Sequence, residues 1–201
     1  IFEAFSHRPA DPESLSDNLV YDIHRDRSGR IWVATNRGLN RFDREGRSWV
    51  RYLHDPEDRT SISYNTCRTI HEAEDGTLWI GTTGGGLNRY VEETDSFESY
   101  TRRDGLPSNS ISGILEDDEG RLWISTTNGI SVFDPETEHV RNLDEEDGIG
   151  GLEFGQGTMR DRDGSLWFGG FHGITVLDGP IRQPNPHPPR IHVTGMSVLG
   201  E

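Results

Sequence analysis

Short apolar runs recur along the chain at nearly constant intervals, and a turn-forming glycine precedes each of them. Every run contains a tryptophan, and the spacings between the four tryptophans are 47, 44 and 44 residues. A period of this length is typical of propellers, solenoids and other repeat architectures. The four residues are Trp32, Trp79, Trp123 and Trp167.

Each tryptophan-bearing run is predicted to be a strand that is buried on both faces. Residues 31–34, for example, do not alternate between apolar and polar, as expected for a strand whose sheet is packed between two neighbours. A second glycine follows each run, and we expect it at a turn, where positive φ is needed. These second glycines are Gly38, Gly86, Gly129 and Gly173.

Two more strands complete the repeat. Upstream segments such as residues 19–23 and 110–115 alternate with the period of two that indicates a strand. Downstream, apolar residues recur at i, i+3 spacing, which does not fit a flat strand with one buried face and predicts a bulge or bend at the outer edge. The downstream pairs are Trp49 with Tyr52, Phe97 with Tyr100, and Val140 with Leu143.

The pattern therefore predicts an all-β fold, a β-propeller fragment of four four-stranded antiparallel blades plus one strand of a preceding blade. A single four-stranded unit cannot bury both of its faces, whereas radial stacking of such units can. A linear stack is the structural alternative. The predicted segments are 1–17 (outer strand and connector of a truncated blade), the blades 18–64, 65–108 and 109–152, the last blade 153–179, and a Pro-rich linker with one strand of another domain, 180–201.

Composition and charge narrow the classes of partner. The chain has 201 residues, a net charge of −15 and only 31% hydrophobic residues, together with 24 glycines. Such an acidic surface argues against nucleic acid and anionic membrane as direct partners. Cys67 is the one cysteine, so the sequence predicts neither an internal disulfide nor a cysteine zinc site.

The repeated motifs resemble those of the two-component regulator propeller repeats. Residues 18–23 carry N-x-V-x-x-I, residues 26–35 carry D-x-x-G-x-(I/L)-W-(I/V)-(G/A)-T, and residues 38–43 carry G-L-N-R-(F/Y)-D. The variant around Trp167 is similar to the closing repeat of that array. The residues after 180 are similar to the lead-in to the immunoglobulin-like domain that follows it.

The resemblance implies a sensor rather than an enzyme. It implies a periplasmic sensor region ahead of a transmembrane helix and a dimeric histidine kinase, with saccharides as ligands in several members. The expected partners are an oligosaccharide or other small ligand, the rest of the same sensor chain, and a second copy in the full-length protein. Contact with the membrane is expected only through a transmembrane segment that these 201 residues do not contain.

No catalytic residue, metal site or cofactor is predicted. Asp161 and Asp163 resemble part of a calcium loop, but the further oxygen ligands are missing, so we interpret them as turn residues, with calcium as the alternative. His7 and His54 occupy equivalent repeat positions, which predicts a structural role in the following loop. Cys67 is expected in the core.

A ligand site is predicted at the mouth of the central channel, where inner strands and blade connections converge. The segment 153–156 departs from the repeat pattern, and a local departure of this kind often indicates function. Its aromatic residue suits a sugar, or alternatively packs the closing blade. The candidate ligand-binding residues are Tyr64, Arg68, Asn109, Glu153, Phe154 and Gln156.

These observations predict a non-catalytic, extracytoplasmic ligand-sensing module of a two-component system, with saccharides as one expected class of ligand. A propeller enzyme of the streptogramin-lyase type is the first alternative, because such propellers also carry D-G-x-L-W-F repeats. A protein-interaction platform is the second.

Overall fold

The computed structural model describes residues 2–178, which form an all-β structure of fifteen strands and two short 3₁₀ turns. The predicted linker and following strand at 180–201 lie outside the described residues. The strands are β1 (Val20–Arg25), β2 (Ile31–Thr35), β3 (Gly38–Asp43), β4 (Ser48–Tyr52), β5 (Cys67–Glu72), β6 (Leu78–Thr82), β7 (Leu87–Val91), β8 (Ser96–Tyr100), β9 (Ile111–Glu116), β10 (Leu122–Thr126), β11 (Gly129–Asp134), β12 (His139–Leu143), β13 (Phe154–Arg160), β14 (Leu166–Gly170) and β15 (Gly173–Leu177).

The strands form four antiparallel sheets in sequence order, which confirms the predicted propeller architecture. The orders are β1-β2-β3-β4, β5-β6-β7-β8, β9-β10-β11-β12 and β13-β14-β15. The first strands of successive sheets pack side by side, β1 against β5, β5 against β9 and β9 against β13. Each sheet is therefore a blade whose first strand is innermost.

The fourth blade has three strands within the described residues, one fewer than the sequence predicted. Its last strand ends at Leu177, and the description ends one residue later. Any strand that followed β15 would therefore lie outside the described residues.

The tryptophan strands are buried on both faces, as predicted. Every residue of β6 and β10 is buried. Because successive side chains of a strand point to opposite faces, neighbouring residues enter different cores. Trp79 packs with Leu122 and Phe133 of the next blade, whereas Ile80 packs with Trp32 of the preceding blade.

The outer strands contradict the predicted bulge. β4 pairs regularly with β3 from Leu39 opposite Tyr52 to Asp43 opposite Ser48. The i, i+3 spacing instead places the two apolar residues on opposite faces of a regular strand. Trp49 enters one core with Val33, and Tyr52 packs against the other core with Trp32.

No strand occurs in residues 2–19, which corrects the predicted outer strand at the start of the chain. A strand requires a neighbouring backbone to pair with, and no described strand pairs with these residues. Phe5 is held instead by side-chain packing, with its ring centroid 5.2 Å from that of Phe42 and 5.6 Å from that of Trp49.

One glycine in each of the first three blades joins that blade to the next. Gly86 has φ +84°, and a Cβ there would lie 2.1 Å from the carbonyl oxygen of Tyr100. Its N–H donates to the carbonyl of Asn109, at the start of the next blade, at 2.9 Å. Gly38 donates in the same way to Asn65, and Gly129 donates to Leu152. Only glycine allows both this φ and this close approach.

Candidate ligand-binding cavity

Each inner strand contains a bulge at the same repeat position. In β1, Val20 pairs with Thr35 and Asp22 with Ala34, so Tyr21 is the extra residue. The register shifts in β5, β9 and β13 leave Arg68, Ser112 and the segment around Gln156 unpaired in the same way. A bulge changes the direction of the side chain it carries, and bulges are frequent beside functional sites.

The four bulge residues are equivalent in the repeat but chemically different. Each lies 11 residues before the tryptophan of its blade, as subtraction of the residue numbers shows (32 − 21, 79 − 68, 123 − 112 and 167 − 156). The tryptophan, the turn glycines and the apolar strand positions repeat, whereas this position does not. The four residues are Tyr21, Arg68, Ser112 and Gln156.

These four residues converge on one cavity between the inner strands. Its volume is about 310 Å³, at the lower end of the range for small-molecule sites. All four blades contribute to its wall. The lining residues are Tyr21, Asp22, Arg68, Thr69, Ile70, Ser112, Ile114, Gln156 and Thr158.

Arg68 provides the positive charge of the cavity. Its guanidinium carbon lies 4.3 Å from the centroid of the Tyr21 ring, a cation–π arrangement. Within residues 2–178, no carboxylate oxygen lies within 4.0 Å of its guanidinium nitrogens. The planar donor edge of Arg68 is therefore not neutralised by a described side chain.

Hydrogen bonds between blades hold the cavity wall. Gln156 Nε2 donates to the carbonyl oxygen of Arg68 at 2.9 Å, and so joins β13 to β5 across the cavity. Ser112 Oγ donates to the Phe154 carbonyl at 2.8 Å. Ile70 N donates to Asp22 Oδ2 at 2.7 Å. Each bond connects different blades, so the shape of the cavity depends on how the blades are arranged.

The structure separates the six candidate residues predicted from the sequence. Arg68 and Gln156 line the cavity. Tyr64, in contrast, covers the turn glycine Gly84. Asn109 accepts a hydrogen bond from Arg102 N at 2.8 Å and so supports the loop before its blade.

The other two candidates also lie outside the cavity wall. Glu153 is exposed, and its carbonyl accepts a hydrogen bond from Phe171 N. Phe154 is buried, with its ring centroid 6.4 Å from that of Phe168. Phe154 therefore packs the fourth blade, which was the alternative interpretation of this aromatic residue.

Sequence reasoning missed Tyr21 and Ser112. Both lie on strands that otherwise follow the repeat, and neither residue is unusual by itself. A comparison of the four repeats could have found them, because the residue 11 positions before each tryptophan differs in chemistry from blade to blade. The bulge that directs this side chain into the cavity has no sequence motif of its own.

The remaining candidate groups have structural roles. His54 Nδ1 lies 2.9 Å from the Ile62 carbonyl oxygen, and His7 Nδ1 lies 2.7 Å from that of Leu15, which matches the loop role predicted for both. Asp163 accepts hydrogen bonds from Ser165 within its turn. Cys67 is fully buried, and burial raises the pKa of its thiol.

No group of three or more His, Cys, Asp or Glu side chains in residues 2–178 is arranged to hold a metal ion. None of the helical segments there is long and apolar enough to cross a membrane.

The sheets and their shared cavity define a β-propeller whose blades contribute jointly to one polar site. Residues 14–37, 61–84 and 105–128 match the model of the two component regulator propeller family. Each match runs from the connector before an inner strand to the turn after the tryptophan strand. These three segments are therefore similar to two component regulator propeller repeats. No curated protein sequence matches the chain.

Solved structures include similar propellers. A protein described as the extracellular domain of the hybrid two component system BT4673 from B. thetaiotaomicron aligns with TM-score 0.73 and 25% identity, over 86% of this chain and 24% of that one. The corresponding domain of BT3049 from B. thetaiotaomicron aligns with TM-score 0.70 and 27% identity, over 91% of this chain and 24% of that one. This chain thus spans 24% of the length of both domains.

A propeller enzyme is also similar in fold. Virginiamycin B lyase from Staphylococcus aureus aligns with TM-score 0.56 and 18% identity, over 81% of this chain and 56% of the lyase. At this identity the likeness shows the fold alone.

Proposed function

We propose that the chain is a non-catalytic, ligand-sensing part of an extracytoplasmic sensor of a two-component system. The observation that carries the proposal is the cavity to which each of four blades contributes a different polar side chain at one repeat position. The family match and the solved extracellular domains of two-component systems support it. We place the sensor in the periplasm, as part of a dimeric histidine kinase.

The cavity suggests how binding is communicated. Its wall is joined by hydrogen bonds that run from blade to blade, such as Gln156 Nε2 to the Arg68 carbonyl. A ligand shifts a conformational equilibrium only if it binds one arrangement more tightly than another. A small ligand that contacts several bulge residues at once favours one arrangement of the blades, and the rest of the sensor chain receives that difference.

We propose a saccharide as the ligand class. A cavity of about 310 Å³ accommodates roughly one sugar ring, which needs polar partners around its edge. Tyr21, Thr69, Thr158 and Gln156 provide hydroxyl and amide groups in the wall. These side chains suit the hydroxyl groups of a sugar.

The lyase alternative lacks a base in the cavity. No His or Cys is among the cavity-lining residues, and Asp22 is the sole acid among them. Both oxygens of Asp22 accept backbone N–H groups, from Ile23 at 2.8 Å and from Ile70 at 2.7 Å. Both oxygens of Asp22 are therefore engaged in holding the backbone of the cavity wall.

A thermal-shift screen of mono- and disaccharides on the chain tests the proposal. A ligand that binds only the folded form raises the melting temperature. We expect at least one sugar to do so in the wild type and to lose this effect in Gln156→Ala. The control is Glu93→Ala, a truncation of similar size at an exposed residue outside the cavity wall. Conversion of a sugar to product, or no shift with any sugar, would contradict the proposal.

The gene sequence downstream separates a sensor from an interaction platform. A membrane-spanning segment followed by a histidine kinase is the expected result. A stop codon directly after Glu201 would contradict the sensor assignment.

A further inference from the structure

We infer that the cavity contains an oxyanion subsite, in which Arg68 binds a carboxylate or sulfate group of a small acidic ligand. This inference rests on the proposed function, because it defines the ligand chemistry of the same cavity. It goes further by assigning the recognition to one side chain and by predicting that neutral sugars bind less tightly than their acidic counterparts.

Within the described part of the chain, Arg68 lacks the carboxylate partner that two other arginines of the blades have. Arg30 pairs with Asp26 at 2.5 Å, and Arg121 pairs with Asp117 at 2.8 Å. The chain has 35 acidic and 20 basic residues, so carboxylates are plentiful. The described residues nevertheless place no carboxylate within 4.0 Å of the Arg68 guanidinium.

Arg68 is also held in place by its neighbours. The Tyr21 ring supports one face of the guanidinium at 4.3 Å, and Gln156 fixes the Arg68 backbone through its carbonyl oxygen at 2.9 Å. A guanidinium presents five N–H donors in a planar fork, which matches the two oxygens of a carboxylate or sulfate. Stacking leaves this fork available while limiting its motion, which lowers the entropy cost of binding.

Asp22 also lines the cavity, and its charge by itself would repel an anion. Its two oxygens accept N–H groups from Ile23 and Ile70, and such charge-assisted bonds reduce the effective charge that faces the cavity. The other polar groups of the wall are uncharged, among them Thr69 and Thr158. Arg68 is thus the only cationic side chain among the residues that line the cavity.

Calorimetric titration of the 201-residue chain with glucuronate and with glucose tests the inference. The two sugars differ only in a carboxylate that replaces a hydroxymethyl group. We expect glucuronate to bind more tightly than glucose to the wild type. Arg68→Gln should weaken glucuronate binding by about 10- to 100-fold, since a hydrogen bond to a charged group is lost, and should weaken glucose binding by a clearly smaller factor.

Two variants provide the controls. Arg59→Gln removes the same charge from an exposed site without a described hydrogen bond, and it should leave glucuronate binding unchanged. Arg68→Lys keeps the charge but loses the planar fork, so an intermediate affinity is expected. This variant also keeps the test informative if Arg68→Gln fails to fold.

The results separate failure of the subsite from failure of the sensor. Glucose 6-sulfate in place of glucuronate shows whether the oxyanion is a sulfate or a carboxylate, and preferential binding of either one supports the subsite. Equal binding of glucose and both acidic sugars, or no binding of the acidic sugars, overturns the subsite. A neutral sugar that still raises the melting temperature would then leave the proposed sensor function intact.

Discussion

Asp26 illustrates how a single residue organises the repeat. Its carboxylate accepts hydrogen bonds from the indole Nε1 of Trp32 at 2.9 Å and from Arg30. Burial raises the pKa of Asp26, but the hydrogen bonds from Trp32 and Arg30 outweigh it, so the pKa lies below its ordinary value. Asp117 repeats the arrangement with Trp123 in the third blade.

We predict that Asp26→Ala destabilises the chain by about 2 kcal/mol, because it leaves a buried indole N–H without an acceptor. Asp26→Asn keeps an acceptor oxygen and should cost less. Urea denaturation measures both. The second blade tolerates such a loss, since it has Ala73 at this position and Trp79 Nε1 has no partner among the described residues. A change below about 0.5 kcal/mol in Asp26→Ala would contradict the prediction.

His71 gives the chain a pH-dependent stability. Burial lowers its pKa from 6.5 to about 4, and the nearby His24 and Arg160 act in the same direction, whereas Glu72 opposes them. Between these pH values the unfolded chain binds more protons than the folded chain. Stability is therefore expected to fall by up to about 3 kcal/mol as the pH drops from 6.5 to 4.

The matched variant for this prediction is His71→Leu, because the third blade has Leu115 at the equivalent position. The variant should lose less stability over the same pH range. Glu116, whose Oε2 lies 3.5 Å from His71 Nε2, has a pKa raised by burial and contributes with the opposite sign. The informative quantity is therefore the difference between variant and wild type in the stability lost over this pH range. Parallel pH profiles of the two proteins would refute the assignment to His71.

At the scale of the element, the turn between the second and third strands connects successive blades. Its glycine bonds to the connector that opens the next blade, so one residue serves both a hairpin and an interface. The inner strand differs from this turn, because its bulge residue changes from blade to blade and faces the cavity. Within one blade, interface and ligand functions are thus carried by different strands.

We predict that Gly86→Ala destabilises the chain by about 3 kcal/mol or more, through positive φ and a clash with the Tyr100 carbonyl. Gly76→Ala is the control, since Gly76 also has positive φ, at +91°, but a Cβ there meets nothing within 4 Å. It should cost about 1 kcal/mol. Similar losses in the two variants, measured by denaturant titration, would show that the close approach at Gly86 is unimportant.

At the scale of the whole molecule, and within residues 2–178, no neighbouring blade covers the outward faces of the first and fourth blades. Ile130 and Val132 of β11 are buried by the fourth blade, whereas Ile174 and Val176 at the equivalent positions of β15 are 67% and 42% exposed. Such apolar faces favour association. The net charge of −15 opposes it.

We therefore predict that the chain self-associates, and that association increases with salt because the repulsion is screened. Light scattering at low and high ionic strength measures this. A variant with Ile174→Lys and Val176→Lys should associate less than the wild type. The control is Val91→Lys, a strand residue of an inner blade that is not part of either end face. Clean monomers at high protein concentration under both conditions would contradict the prediction.

The repeat period, the buried tryptophan strands and the turn glycines follow from the amino-acid sequence alone. These features depend on local patterns of side chains, and the same pattern recurs in every blade. The sequence also indicated Arg68 and Gln156. The remaining features depend on how the strands pair, because a bulge is a property of pairing between two strands. Strand pairing directs Tyr21 and Ser112 into the cavity and places Phe154 in the core. It also keeps the outer strands regular, with their paired apolar residues on opposite faces.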